Sequence, residues 1–255
     1  MKKIFNLFRK KNFKNIKNEN YVDENIQIPL GYNVDRWELF FKRIKKKKIY
    51  PNFCVDVGAG RGTGVMYEAF RDSKHYVFEP VEENIKFLKD RLKKFRYELF
   101  PFCVSDKVEE VSFFKSKQNY LTSTVIDDYI HKDTIKDKAE KIRTITLNDI
   151  LKNKLSGTNN LLKIDVQGSD LKVLLGASKI LKNFEIIIIE SSIYNFSMSE
   201  KRPTISNVVN YLGNYDFSLI DVLSGVNRPY DNSLAQLDLV FAKNTSELFS
   251  YHEWM

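Results

Sequence analysis

The chain has 255 residues, is 43% hydrophobic and 29% charged, and has a formal net charge of +8, a globular composition long enough for one α/β domain with a substantial core. Its two cysteines, Cys54 and Cys103, lie inside apolar runs and read as reduced core residues of a cytosolic protein, which excludes a disulfide framework or a metal knuckle. Residues 1–50 hold 14 Lys+Arg against 5 Asp+Glu, so they carry +9 and the remainder −1; the body lacks the basic face that a nucleic-acid binder needs near its site.

The first stretch, MKKIFNLFRKKNFKNIKN, sets Ile4, Phe5, Leu7, Phe8 and Phe13 among lysines. It is too interrupted for the apolar core of a signal peptide, and no run of about 20 apolar residues exists to span a bilayer. It reads either as a solvated tail or as a short basic amphipathic helix, in which case residues 1–18 make weak contact with the anionic inner face of a membrane. Next, DRWELFFKRIKKKK places Trp37, Phe40, Phe41 and Ile44 at helical spacing, a helix with one apolar face.

From there apolar runs alternate with helical stretches. The runs are Phe53–Val57, Tyr76–Phe78, Leu99–Val104, Leu161–Val166, Ile186–Ile189, Phe217–Val222 and Leu237–Phe241, and helices are predicted at 62–72, 81–95, 169–182 and 204–213. Runs such as EIIIIE are apolar throughout, as strands covered on both faces require. Alternation of this kind predicts an α/β, doubly wound, mostly parallel sheet. It breaks between 106 and 155, where VEEVSFFK reads as an extra strand, TSTVIDDYIHKDTIKDKAEK as polar helix or loop, and RTITLNDIL as a strand leading into a helix.

The first run delivers VDVGAGRGTG, with glycines at 58, 60, 62 and 64. In open parallel sheets ligands sit beyond the carboxyl ends of the strands, and a helix starting near Gly62 points its amides at an anionic group there. A phosphate-binding loop would need Gly-Lys-Ser/Thr, which is absent. A dinucleotide fingerprint counted from Gly58 meets Thr63 where its third glycine belongs. S-adenosylmethionine is the third option: Asp56 suits its amino group, the helix start its carboxylate, and Glu79, closing the second run in HYVFEP, its ribose hydroxyls. Glu79 also reads as a first-turn acid of the next helix.

VDVGAGRGTG, then FEP, then LLKIDVQGSDLKVLLGA, then IIIIE resembles the FkbM family of S-adenosylmethionine-dependent methyltransferases over roughly residues 52–242. LAQLDLVFAK, with Gln236 and Asp238, resembles the family's last strand, whereas Gln167 stands where the family usually has Glu. The resemblance implies a seven-stranded, Rossmann-like class I methyltransferase sheet with its last strand antiparallel, and methylation of an oxygen, commonly on a sugar or natural-product scaffold. It assigns Asp56, Gly58 and Gly60 to the methionine end of the donor, Glu79 to the ribose, and Ser105 and Asp106 to the adenine. The chain then divides into a basic extension with a helix (1–50), the methyltransferase domain (51–245) and a C-terminal tail (246–255).

Lys163, Asp165 and Glu190 fall near the carboxyl ends of the fourth and fifth principal strands. Methyl transfer to a hydroxyl is an in-line displacement helped by alignment and by a base. Asp165 is the first candidate base or ion ligand and Glu190 the second; Lys163 pairs with a neighbouring acid. A divalent ion such as magnesium is the less favoured aid, because no Asp-Asp pair follows Glu190. Of the histidines, His75 belongs at the far edge of the sheet, His252 in the tail and His131 in the polar insertion, where it reads as solvated. Ser123 and Thr124 read either as hydrogen-bonding partners of a polyol or as a helix cap, and Tyr120, Tyr194, Phe196 and Tyr230 either as sugar-stacking or as core residues. The expected acceptor is a sugar, glycan or other small hydroxylated molecule. The alternatives are a nucleic-acid methyltransferase, which the missing Asn/Asp-Pro-Pro-Tyr/Phe motif disfavours, and a non-catalytic glycan-assembly subunit.

Overall fold

The strand-forming runs are apolar on alternate residues toward two different partners. Val55 and Val57 of the first run join one hydrophobic cluster, while Cys54 joins another. In the computed structural model, which describes residues 36–115, 124, 139–195, 202–228 and 231–250, these clusters lie on the two faces of one sheet. The strands are β1 (Phe53–Val57), β2 (Lys74–Phe78), β3 (Arg96–Phe100), β4 (Cys103–Val104), β5 (Glu110–Phe113), β6 (Glu140–Ile145), β7 (Leu161–Ile164), β8 (Ile186–Ser192), β9 (Phe217–Asn227) and β10 (Leu234–Lys243). The helices are α1 (Trp37–Lys46), α2 (Gly64–Ala69), α3 (Glu82–Leu92), α4 (Leu147–Leu151), α5 (Asp170–Gly176) and α6 (Ile205–Gly213). Among the described residues no helix is long and apolar enough to cross a membrane.

Seven strands form the central sheet in the order β3-β2-β1-β7-β8-β10-β9. All run parallel except β10, which is antiparallel to both β8 and β9. The expected doubly wound sheet is therefore present, with its last strand reversed. One face buries Leu147, Leu151, Val173, Leu174, Val208 and Leu212 from α4, α5 and α6. The other buries Phe40, Phe41, Ile44, Met66, Tyr67, Leu88 and Leu92 from α1, α2 and α3. The chain first winds outward from β1 to β3, then returns to the opposite side of β1 with β7. That reversal opens a crevice beyond the carboxyl ends of β1 and β7, where ligands of such sheets bind.

Three elements differ from expectation. The run Leu99–Val104 is cut at Pro101, which has no N–H for a ladder; β4 leaves the main sheet and pairs with β6 in a three-stranded sheet, β4-β6-β5. The helix expected at 169–182 ends at Gly176 and is followed by a 3-10 turn at Leu181–Asn183; Gly176 packs against the Ser105 carbonyl, where an added Cβ would lie 2.1 Å from the oxygen. The helix expected at 62–72 shortens to α2, since Gly62 adopts a φ of +95°. In the insertion, VEEVSFFK does form a strand, and the polar stretch after it ends in β6, with Glu140 and Lys141 on the ladder to β5. Residues 1–18, Tyr120, Ser123, His131, Phe196, Tyr230 and His252 lie outside the described residues.

Candidate active site

The glycine loop is stitched to β2. The N–H groups of Gly58 and Ala59 both donate to the Phe78 carbonyl at 3.0 and 3.1 Å. Gly58 has a φ of +69°, and what crowds it is protein: the carbonyl of Asp165 fills the space a side chain would take. Gly60 then turns its N–H to Glu79 Oε2 at 2.7 Å. Glu79 Oε1 accepts from Val81 N at 2.9 Å and Asn84 Nδ2 at 3.2 Å. Burial raises the Glu79 carboxyl above its usual range, against the pull of these donors. A carboxylate has about four acceptor sites, so Glu79 keeps capacity for a ligand hydroxyl.

Gly58, Gly60, Glu79, Asp165 and Gln167 all line one cleft. Pro80, Val81, Phe102, Cys103, Val104 and Val166 give it an apolar side. Ser169, only 3% exposed, also lines it, and its Oγ has no hydrogen-bond partner, an orphaned polar atom that a ligand would satisfy.

Asp56, Ser105 and Asp106, which the resemblance assigns to the donor, each hold a partner within the chain. Asp56 does not open on the cleft: it is 0% exposed. Its Oδ2 accepts from the Tyr67 hydroxyl and from Thr63 N at 3.4 Å, and Oδ1 lies 3.5 Å from Lys163 Nζ. The acid before the loop holds the loop, because the following turn closes over it. Ser105 and Asp106 likewise stand outside the lining, which takes Cys103 and Val104 from their segment. The Ser105 hydroxyl donates to Asp106 Oδ1 at 3.0 Å, and α5 packs on its carbonyl.

On the other side of the cleft, acids surround one lysine. Lys163 Nζ lies 3.4 Å from Asp165 Oδ2 and 3.4 Å from the Gly58 carbonyl. Burial alone would lower the Lys163 pKa, but the carboxylates of Asp165, Asp56 and Asp238 overcome it and hold the ammonium form. Asp165 Oδ1 accepts from Gln167 Nε2 at 2.8 Å, and the same nitrogen lies 3.3 Å from Glu190 Oε2. Gln236 Nε2 adds a contact of 3.1 Å to that oxygen. Burial, then the charges of Asp165, Asp170 and Asp238, push Glu190 well above the usual carboxylate range. The two candidate acids are thus brought together, one from the end of β7 and one from β8. Among the described residues no group of three or more His, Cys, Asp or Glu side chains is arranged to hold a metal ion.

Sequence reasoning missed Asp170 and the bridging role of Gln167. Asp170 accepts from Val166 N at 2.9 Å and Gly168 N at 3.0 Å, closing the loop that carries Asp165. Burial lifts it to about 7. The folded chain therefore holds a proton that the unfolded chain releases near 4. Between those values the unfolded state binds fewer protons, so stability falls as pH rises from about 4 to 7 and levels above that. Chemical denaturation of wild type and Asp170→Asn over this range should show the decline shrinking in the variant; equal slopes would refute it.

Thr124 lines the cleft and donates its hydroxyl to the Gln167 carbonyl at 3.0 Å. His75 is buried near the start of β2, away from the cleft, with Nε2 3.1 Å from the Phe70 carbonyl; burial lowers its pKa. Tyr194 lies outside the cleft lining, with the Arg228 guanidinium 5.8 Å from its ring centroid.

A sheet of this order with one reversed strand, carrying a glycine loop and a strand-end acid at its switch point, defines a class I methyltransferase. The chain belongs to the FkbM methyltransferase family: the Methyltransferase FkbM domain matches residues 56–219. No curated protein matches the chain. Among solved structures it is similar to a magnesium protoporphyrin IX methyltransferase from Synechocystis, at 9% identity and a TM-score of 0.44, covering 81% of this chain and 79% of that one. An rRNA methylase from Streptococcus thermophilus is 12% identical, with a TM-score of 0.43 over 81% of this chain and 96% of that one. A precorrin-6y C5,15-methyltransferase from Geobacter metallireducens is 11% identical, with a TM-score of 0.40 over 81% and 87%. Likenesses this distant assign neither substrate nor site residue.

Proposed function

We propose that the protein is an S-adenosylmethionine-dependent O-methyltransferase acting on a sugar, glycan or other small hydroxylated acceptor. The observation that carries this reading is that Asp165 lines the same cleft as Glu79 and is joined through the Gln167 amide to Glu190 at the end of the neighbouring strand. The residues present suit the donor: Glu79 has spare acceptor capacity for a ribose hydroxyl, the apolar side of the cleft suits a flat base, and Ser169 offers an unsatisfied hydroxyl. When bound, the donor supplies a methyl group already activated on a sulfonium. The chain's own part is to align the acceptor and take its proton. Asp165 is the first candidate to accept it, and Glu190, held at a raised pKa, is the second.

Calorimetry with S-adenosylmethionine tests the donor. Binding should be seen, and Glu79→Gln should weaken it about 10- to 100-fold, because one acceptor oxygen replaces two and a charge-assisted hydrogen bond is lost. Absence of binding to the wild-type chain would defeat the reading. Labelled donor offered with sugars, nucleotide sugars and glycans tests the acceptor; transfer to RNA or DNA with none to sugars would replace it with a nucleic-acid methyltransferase.

A further inference from the structure

The two acids proposed to accept the proton are held by a side chain that is neither acidic nor basic. Gln167 Nε2 carries two hydrogens and an ionised carboxylate only accepts, so one hydrogen serves Asp165 at 2.8 Å and the other Glu190 at 3.3 Å. The carbonyl end of the amide is thereby turned away from both. Residue 167 reaches this position with a φ of +57°, a left-handed conformation uncommon outside glycine and found at functional sites when surrounding structure enforces it. Here the enforcement is visible. Asp170 grips the N–H groups of Val166 and Gly168, on either side of Gln167, and Thr124 grips its carbonyl at 3.0 Å.

The electrostatic surroundings explain why an amide belongs there. Glu190 on β8 faces Asp165 beyond β7, Asp170 on α5 and Asp238 on β10, with Lys163 on β7 as the countercharge. Asp56 on β1 lies on that lysine too. Asp165 and Asp56 thus flank one lysine, and burial with the like charges around Glu190 favours its protonated form. A donor reaching both acids favours their ionised forms without adding charge.

We propose that Gln167 is a positioning residue whose amide clamps Asp165 and Glu190 into one proton-accepting pair and allows that pair to ionise. The proposal deepens the methyl-transfer reading and rests on it for the pair's purpose, though the clamp itself is a statement about linked ionisation.

The test is a pH titration of the full chain carrying 13C-labelled Asp and Glu carboxyls, followed by NMR and assigned with Asp165→Asn and Glu190→Gln. Gln167→Met removes both donors at similar length, and the Asp165 and Glu190 inflections should each rise by about 0.5–1 pH unit. Gln167→Glu removes the donors and adds a further acid, so the rise should be larger. Unmoved inflections in both variants overturn the clamp. Should either variant fail to fold, the wild-type chain supplies the second readout: the side-chain 15NH2 resonance of Gln167 should follow both inflections, and an amide indifferent to them overturns the clamp equally. S-adenosylhomocysteine binding and methyl transfer are recorded on the same samples. Linked titrations in a chain that binds and transfers nothing support the clamp and defeat the methyl-transfer reading. Unlinked titrations in a chain that transfers methyl groups defeat the clamp alone.

Discussion

Gly58→Ala should cost the protein about 2–5 kcal/mol of folding stability. A Cβ at this position would lie 1.8 Å from the Asp165 carbonyl oxygen and 2.7 Å from its carbon. Neither partner is free to retreat. Asp165 N donates to the Val57 carbonyl at 3.0 Å, and Gly58 N donates to the Phe78 carbonyl at 3.0 Å, so relief of the clash breaks the seam joining β1, β2 and β7. The φ of +69° adds the ordinary left-handed penalty of about 1–2 kcal/mol to an overpacking cost of about 1–3 kcal/mol. Domains are stable by about 5–15 kcal/mol in all, so the melting temperature should fall on the order of 10 °C or the protein should not accumulate folded. Gly157 is the matched comparison. Its φ is +66°, yet the nearest atom to an added Cβ is 3.9 Å away, so Gly157→Ala should cost only about 1 kcal/mol. Equal melting temperatures for the two variants, followed by circular dichroism, would contradict the close-approach account.

Asp165→Asn should lower methyl transfer about 10²–10⁴-fold, the usual contribution of a positioned general base, while S-adenosylhomocysteine affinity changes far less. The exchange keeps the shape of the side chain but removes its capacity to take a proton. The side chain retains 30% exposure, so the variant buries no new unpaired group of its own, and Lys163 keeps Asp56 at 3.5 Å. Initial rates with labelled donor, once an acceptor is in hand, decide the matter. A variant retaining more than about a tenth of the wild-type rate would show that alignment alone carries the reaction and that Asp165 is there for Lys163.

The sheet was readable because both its faces are covered: β1 and β7 are each apolar at all but one position, and β8 opens on four isoleucines. Its breaks were less so. Pro101 ends β3 for a reason visible in the sequence, but the departure of β4 into a second sheet depends on β6, whose partner residues lie some 40 positions away. Within the site, Glu79 and Asp165 could be placed because strand ends bring them to one edge. Asp56 shows what strand position alone leaves out. It sits at the same edge in sequence, yet the turn after it folds back, and Tyr67 from α2 reaches in to claim the carboxylate. Gln167 looked like a lost acid because its value lies in a backbone angle and two neighbours that no spacing encodes. Asp170 was passed over for the same reason: its partners are main-chain N–H groups in a turn.

The helix α1 has a consequence beyond the packing of Phe40, Phe41 and Ile44. It runs beside β9, the outermost strand, where Arg36 N donates to the Leu223 carbonyl at 2.8 Å. Arg36 and Arg43 both pair with Asp221, at 3.4 and 3.3 Å. An outer strand with open valences invites another chain to extend it. Here the polypeptide that precedes β1 returns to that margin of the sheet, takes up one of its carbonyls and sets two arginines beside it, so the segment leading into the domain puts charge and an occupied valence where a second chain would pair.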